Sequence, residues 1–391
     1  MNPDASVERA SDIMHDFARI TGLDPQAISP KRYLWTDAFA VCNFLELFHR
    51  TKNPRWRDLA VLLVHQVHHT LGRHRDDDSR HGWISGLPDE EGERHPTRGG
   101  LRIGKSLPER KPGEAYDDQL EWDQDGQYFH YLTKWMHALN RVSRVTRERK
   151  YNEWAVELAQ SAYTGFTFNP TNDERPRMCW KMSIDLSRPL VSSMGQHDPL
   201  DGFITFSELQ MTATQDFGQQ HRLYLSAEIA GMAEICRHSG FVTDDPLGLG
   251  GLLADAYRIA QLMEGSGAGY GGLCESIMGA AAPGIRSFAG SDVLRFPPEH
   301  RLAFRELGLA IGLSGSARLR DLLARNPALV QGSRHLQRRI NAVTAYLPLR
   351  DQVTDFWLNP MSWNTQTWTQ HQEINMVMLA TSLIPDDFLL I

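Results

Sequence analysis

Cysteine is scarce: four residues, Cys42, Cys179, Cys236 and Cys274, are scattered through 391 positions without a CxxC pair. That spacing argues against a disulfide framework and against a thiolate zinc module. No apolar run approaches the roughly 20 residues needed to span a bilayer. Positive charge is not in excess either, since the net charge is -7, which disfavours generic nucleic-acid binding. The first residues, MNPDASVERASDIMHDF, lack the apolar centre of a signal peptide, so a cytoplasmic location is expected. HExxH is absent, and the Gly-rich GSGAGYGG is not followed by Lys-Ser/Thr as a phosphate loop would be. His65, His68 and His69 share a helical face but lack any accompanying ligand signature, so neither metal nor cofactor is expected.

What the chain does have is helical period. In YLWTDAFAVCNFLELFHRTKNPRWRDLAVLLVHQVHHTLG, Phe39, Cys42, Phe44, Leu45 and Phe48 follow the i, i+3, i+4 rule. Thr51-Lys52-Asn53-Pro54 breaks the run, because Pro54 lacks an N–H and suits only the first turn of a new helix. Trp56, Leu59, Leu63 and Val67 then carry a second helix, and four polar residues between two helices make an antiparallel hairpin. RVTRERKYNEWAVELA repeats the design near residue 150, and Asp198-Pro199-Leu200 echoes Asp245-Pro246-Leu247. A lone hairpin cannot bury both faces, so copies must stack.

The expected hairpins lie near 33–72, 126–166, 198–236, 245–281 and 299–347, the last returning through ARLRDLLA and HLQRRINAVTAYL. Helices at 6–20 and from about 369 to 384 are left to pair with each other. Six hairpins closing on themselves predict an all-α fold, an (α/α)6 toroid, as one domain over 1–391 with a short β-hairpin in MCWKMSID and GFTFNP across the NDERPR turn. Turns within hairpins are short, as at Thr51–Pro54, Thr146–Lys150 and Gln215–Gln219. Connections between hairpins are long: Arg73–Asp123, Thr167–His197, Ala282–Pro297 and Pro348–Trp368. They gather on one face, and function concentrates on loops held by a rigid scaffold. The stretch 73–123 is expected to fold over the ring mouth, bringing His81, Trp83 and Arg98 near Asp125 and His371.

This pattern resembles the six-hairpin carbohydrate-active enzymes, among them unsaturated glucuronyl hydrolases and N-acylglucosamine or cellobiose 2-epimerases. Trp35-Thr36-Asp37-Ala38-Phe39 is similar to the WTDGF-like opening of an inner helix in the former. Trp368 and His371 resemble the late Trp and catalytic His of the latter, although Gln372 and Glu373 replace the basic residues that follow there. The residues placed at inner-helix starts include Trp35 and Asp37, Asp125, Gln127 and His130, His197 and Asp198, then Trp368, His371 and Glu373. Rings stack on apolar sugar faces while carboxylates bond hydroxyls or exchange protons, and glycoside hydrolysis needs two carboxyl groups. Asp125 and Asp198 are the expected pair, with Trp35, Trp83 and Trp180 shaping subsites. Plain helix capping is the competing explanation for Asp37, Asp125, Asp198 and Asp245. His95–Lys111 carries Arg98, Arg102, Lys105, Arg110 and Lys111, a cation set that would suit an acidic sugar. The leading expectation is a glycoside hydrolase acting on a small oligosaccharide. A sugar epimerase using His371 with His197 or His130 is the runner-up, and a noncatalytic glycan- or peptide-binding ring is the third reading.

Overall fold

The computed structural model describes residues 3–170, 175–217, 224–267, 269–330 and 335–391. In chain order its elements are α1 (Pro3–Ile20), α2 (Leu34–Thr51), α3 (Pro54–Leu71), α4 (Asp89–Arg94), α5 (Asp118–Asp123), β1 (Gln127–Tyr128), α6 (Phe129–Thr146) and α7 (Arg149–Phe166). Then come β2 (Thr167–Phe168), β3 (Arg177–Met178), β4 (Lys181–Met182), β5 (Pro189–Val191), α8 (Asp198–Phe217) and α9 (Ser226–Arg237). The chain ends with α10 (Pro246–Ser266), α11 (Gly271–Gly290), α12 (Ala303–Arg325), α13 (Leu336–Thr344), α14 (Leu347–Leu358), α15 (Gln366–Thr369), α16 (Gln372–Leu383) and α17 (Asp386–Leu389). Among the described residues no helix is long and apolar enough to cross a membrane. All four cysteines are buried, and none joins a disulfide among the described residues.

Contacts gather the chain into two compact units. A loop-bearing unit comprises Thr21–Val41 and Pro54–Ser239, and a terminal unit comprises Met1–Ile20, Cys42–Asn53 and Gly240–Ile391.

In the loop-bearing unit α6 pairs with α7, α8 with α9, and α6 also packs on α8 and α3. Trp135, Met136, Leu139 and Val142 of α6 are fully buried, as their 3.6-residue spacing requires. A polar network crosses this core: Glu208 bonds His137 Nδ1 at 2.8 Å and accepts from Asn140, whose own Oδ1 accepts from Asn152. Buried polar groups that satisfy one another fix helix register instead of costing stability. The short strands follow expectation, with Thr167 opposite Met178 and Phe168 opposite Arg177. The turn residues 172–174 between them lie outside the described residues, as do 218–219 of the Gln215–Gln219 turn. A second small sheet, in the order β1-β4-β5, braces the long loops.

The repeated hairpin turn is built the same way twice. Thr51 Oγ1 accepts from Asn53 N–H and donates to the Leu47 carbonyl, while Thr146 Oγ1 accepts from Glu148 N–H and donates to the Val142 carbonyl. Lys52 and Arg147 follow those threonines with φ of 58° and 62°, the left-handed turn that ends each helix.

In the terminal unit α1 packs along α16, as the unpaired helices at the chain ends predicted. Asn43 ties them in, donating to the Val377 carbonyl at 3.0 Å and accepting from Thr381 at 2.8 Å. Helices α10 and α12 cross at a glycine contact: a Cβ on Gly312 would lie 2.4 Å from the Gly250 carbonyl oxygen. Three sequence expectations need correction here. ARLRDLLA is not a return helix but the second half of α12, so the return is α13 alone. Ala282–Pro297 is not all loop, because α11 continues through Pro283 to Gly290 and buries Ile285 and Phe288 on its stripe. Pro348–Trp368 contains α14, with Pro348 in its first turn where a missing N–H is harmless.

Candidate active site

An aromatic cluster forms in the loop-bearing unit at the N-terminal ends of α2, α6 and α8. The hydroxyls of Tyr33 and Tyr131 share a hydrogen bond of 2.8 Å, and Trp35 packs 6.5 Å from the Tyr131 ring. Tyr131 meets the edges of Tyr128 and His130. Trp180 stacks on Tyr128 with centroids 4.8 Å apart, and the planes of Trp180 and His130 differ by 1°. Trp122, exposed, extends this stack at 6.0 Å from Trp180. Lys105 closes the outline, its Nζ 5.0 Å from the Trp122 centroid and 5.6 Å from that of Tyr33. Burial pushes the phenols of Tyr33, Tyr128 and Tyr131 upward, so all three stay protonated donors.

Asp198 stands beside this stack. Its Oδ1 lies 3.8 Å from His130 Nδ1, while its Oδ2 is buried without a hydrogen-bond partner. Burial pushes its pKa up to about 8, the nearby Asp201 adds to the effect, and Lys134 opposes it. Lys134 is itself spent on Asp201 at 2.8 Å. Burial likewise lowers His130 to about 4. At neutral pH the neighbours are therefore a protonated carboxyl and a neutral imidazole. Gly195 allows this crowding, since a Cβ there would sit 2.3 Å from Asp198 Oδ2. The two D-P-L echoes thus part company. Asp245 is a plain cap, accepting from Gly248 N–H at 2.9 Å and pairing with Arg305, whereas the Asp198 carboxyl makes no cap hydrogen bond.

Asp125 is not placed as expected. Its Oδ2 accepts from Arg102 at 2.7 Å and Arg75 at 3.5 Å, and its Oδ1 from the backbone N–H groups of Gly104, Lys105 and Gly126. Fully enclosed, this carboxylate fastens the long loop to the β1 edge. Nor do His81, Trp83 and Arg98 gather around it. Trp83 is buried against His69 under Arg73, Arg98 pairs with Glu157 at 3.6 Å, and His81 is exposed. Gln127 is a structural pin, accepting from Leu101 N–H and donating to the Gly99 and Ile184 carbonyls. Gly100 turns with φ of 78° to let that side chain through. Asp37 is buried, bonding Arg32 and the Tyr33 N–H at the start of α2. His197 is half-buried and its carbonyl accepts from Asp201 N–H.

Three expected residues belong to the terminal unit. Trp368 is buried in a stack with Trp363 and Trp357. His371 is the residue before α16, not one turn inside it, and its ring meets Phe304 edge-on at 5.4 Å. Glu373 is half-buried in the first turn of α16.

The loop 73–123 is densely tied within its own unit. Arg80 bonds Asp78, Glu109 and Asp185, and Arg110 bonds Glu121 and the Leu190 carbonyl. Sequence reasoning missed Tyr33, Tyr131, Trp122 and Asp123 as site residues. Asp123 is an exposed carboxylate close enough to raise the pKa of both Lys105 and Tyr128. The spacing Trp122, Tyr128, Tyr131 was the available signal.

Metal ligands are sparse. His68 is buried, accepts from the Trp135 indole at 3.2 Å and is pushed down to about 3 by burial, whereas His65 and His69 are exposed and His69 bonds Glu93 at 2.8 Å, so the trio does not act as a ligand set. Among the described residues, Glu46, His49 and Asp387 of the terminal unit bring donor atoms within 4.8 Å of one another. Arg50 and the Asp387 N–H already bond Glu46, and His49 bonds Asp387 at 2.7 Å, which makes this an anchor for α17.

The sequence matches no protein-family model and no curated protein. Among solved structures, the chain is similar to the GH76A alpha-1,6-mannanase of Salegentibacter sp. HEL1_6, at 11% identity and a TM-score of 0.51 over 97% of this chain and 99% of that one. The same figures hold for an inactive double-aspartate variant of that mannanase in complex with alpha-1,6-mannotetrose. A cellobiose 2-epimerase from Spirochaeta thermophila DSM 6192 follows at 11% identity and a TM-score of 0.44, over 82% of this chain and 87% of that one. The likeness to the mannanase, running almost end to end in both chains, shows the fold: all-α, of the six-hairpin (α/α)6 class that the periodicity predicted.

Proposed function

We propose that the chain is a carbohydrate-active enzyme, a glycoside hydrolase whose general acid is Asp198. One observation carries this reading: a buried carboxyl, protonated at neutral pH, lies beside a stack of rings that opens to solvent at Trp122. Stacked rings suit the apolar faces of a pyranose. A carboxyl held protonated by burial is what the leaving oxygen of a glycoside requires. Asp198 gives its proton to that oxygen, and water attacks the anomeric carbon. Asp123, an exposed carboxylate beside Trp122, takes the water's proton. The site suits a small oligosaccharide, and α-1,6-linked manno-oligosaccharides, like the ligand of the similar mannanase, are the first to try.

The epimerase reading draws on His130, whose neutral ring adjoins a proton donor. Yet an imidazole titrating near 4 is a poor base for a carbon-bound proton, which favours hydrolysis. Product analysis separates the two. Release of a smaller sugar, lost in Asp198→Asn and Asp123→Asn, is expected. Deuterium entering beside the sugar carbonyl in D2O without chain shortening would overturn hydrolysis.

A further inference from the structure

We propose that Lys105 reads a carboxylate on the substrate and makes this site selective for glycosides bearing a uronic acid. The inference rests on the sugar-site reading above and adds the chemical class of its ligand.

Five cations of the segment 95–111 could have met an anion, and the structure sorts them. Arg102 is spent on Asp125, Arg110 on Glu121 and the Leu190 carbonyl, and Arg98 faces Glu157. Lys111 uses its backbone N–H on Glu114 and lies exposed. Lys105 alone of the five carries its charge into the aromatic cluster. It is half-buried between the faces of Trp122 and Tyr33, and among the described residues its Nζ makes no hydrogen bond or ion pair.

Rings hold such a cation weakly compared with a charge-assisted hydrogen bond. Burial lowers the Lys105 pKa, with Asp123 and Asp125 opposing, so the ammonium lacks solvation that a bound anion would restore. The Asp125 charge is already answered by two arginines. Asp123 is exposed and water screens it. Lys105 Nζ lies over the Trp122 ring, so a sugar seated against that ring comes within reach of the ammonium, and a uronic acid brings its carboxylate on C5. A carboxylate there gains an ion pair, while a hydroxymethyl leaves Lys105 as it stands.

Calorimetric titration of the full chain with methyl glucuronosides, galacturonosides and mannuronosides, each against its neutral counterpart, tests this. At low salt the acids should bind about tenfold more tightly than the neutral sugars. Lys105→Met should erase that preference, bringing the acids and their neutral counterparts to equal affinity. Equal affinities in the wild type, or a preference that survives Lys105→Met, would overturn the role of Lys105. Trp122→Ala should weaken both series if the rings are the sugar platform. No binding of either series to the wild type would overturn both the platform and the selectivity. A uronide preference without hydrolysis would overturn only the hydrolase assignment.

Discussion

Replacing Asp198 with asparagine should abolish turnover and stabilise the fold in a pH-dependent way. In the folded chain this carboxyl titrates at about 8, whereas in an unfolded chain an aspartate titrates near 3.9. Between those values the unfolded chain has released the proton and the folded chain has kept it. Wild-type stability therefore falls as pH rises through that window, by about 1.4 kcal/mol per pH unit, and levels off above 8. Asparagine keeps the shape and a donor in place of the protonated carboxyl but does not titrate, so the variant escapes this loss. From pH 5 to pH 7.5 it should gain at most about 3 kcal/mol on the wild type. Calorimetric melting of both proteins across that range reads the difference, alongside a rate loss of about 10²–10⁴-fold for a missing general acid. A stability difference that stays flat between pH 5 and 7.5 would refute the argument that burial keeps Asp198 protonated.

Other perturbations have clear signs. Arg102→Met leaves the buried Asp125 its backbone N–H donors but, of its two arginines, only the longer contact to Arg75. Urea unfolding should show a loss of about 3–5 kcal/mol, much of it recovered when Asp125→Asn is added. Gly312→Ala should lower the melting temperature, because its methyl meets the Gly250 carbonyl, while Gly251→Ala, with open space around it, should raise stability by up to about 1 kcal/mol. In the wild type, hydrolysis should decline above pH of about 8 as Asp198 loses the proton it donates, a limb that pH–rate profiles would reveal.

Much of the helical frame was legible because apolar spacing and polar breaks act locally. Thr51-Lys52 and Thr146-Arg147 announced the same turn, and the same bonds form at both. The misread stretches were those where a local signal loses to packing. Pro283 looked like an end, but α11 continues because Ile285 and Phe288 still face its buried stripe. Trp35, His130 and Asp198 were singled out from their expected places at helix starts and Trp180 as a subsite ring, and the structure brings the four into one cluster. Asp125 had the same signature, and its role was decided by Arg75 and Arg102, tens of residues away. Spacing cannot reveal which of two similar carboxylates meets an arginine. Lys105 posed the converse problem: only when its neighbours' charges were accounted for did it stand out.

Helix α2 belongs to both units: its first turns bring Trp35 and Asp37 to the loop-bearing unit, and its last turns bring Asn43, Glu46, His49 and Arg50 to the terminal unit. Neither unit is therefore a consecutive stretch of gene. A fragment beginning at Gly240 would contain α16 and α17 but not Asn43, whose side chain bonds Val377 and Thr381, nor Glu46, which receives the Asp387 N–H. A fragment ending at Ser239 would carry those four side chains without Val377, Thr381, Asp386 and Asp387, the partners they reach in α16 and α17. Splitting this protein at that boundary for expression, screening or fusion would part α16 and α17 from the α2 side chains that hold them, so neither polypeptide would carry a whole terminal unit.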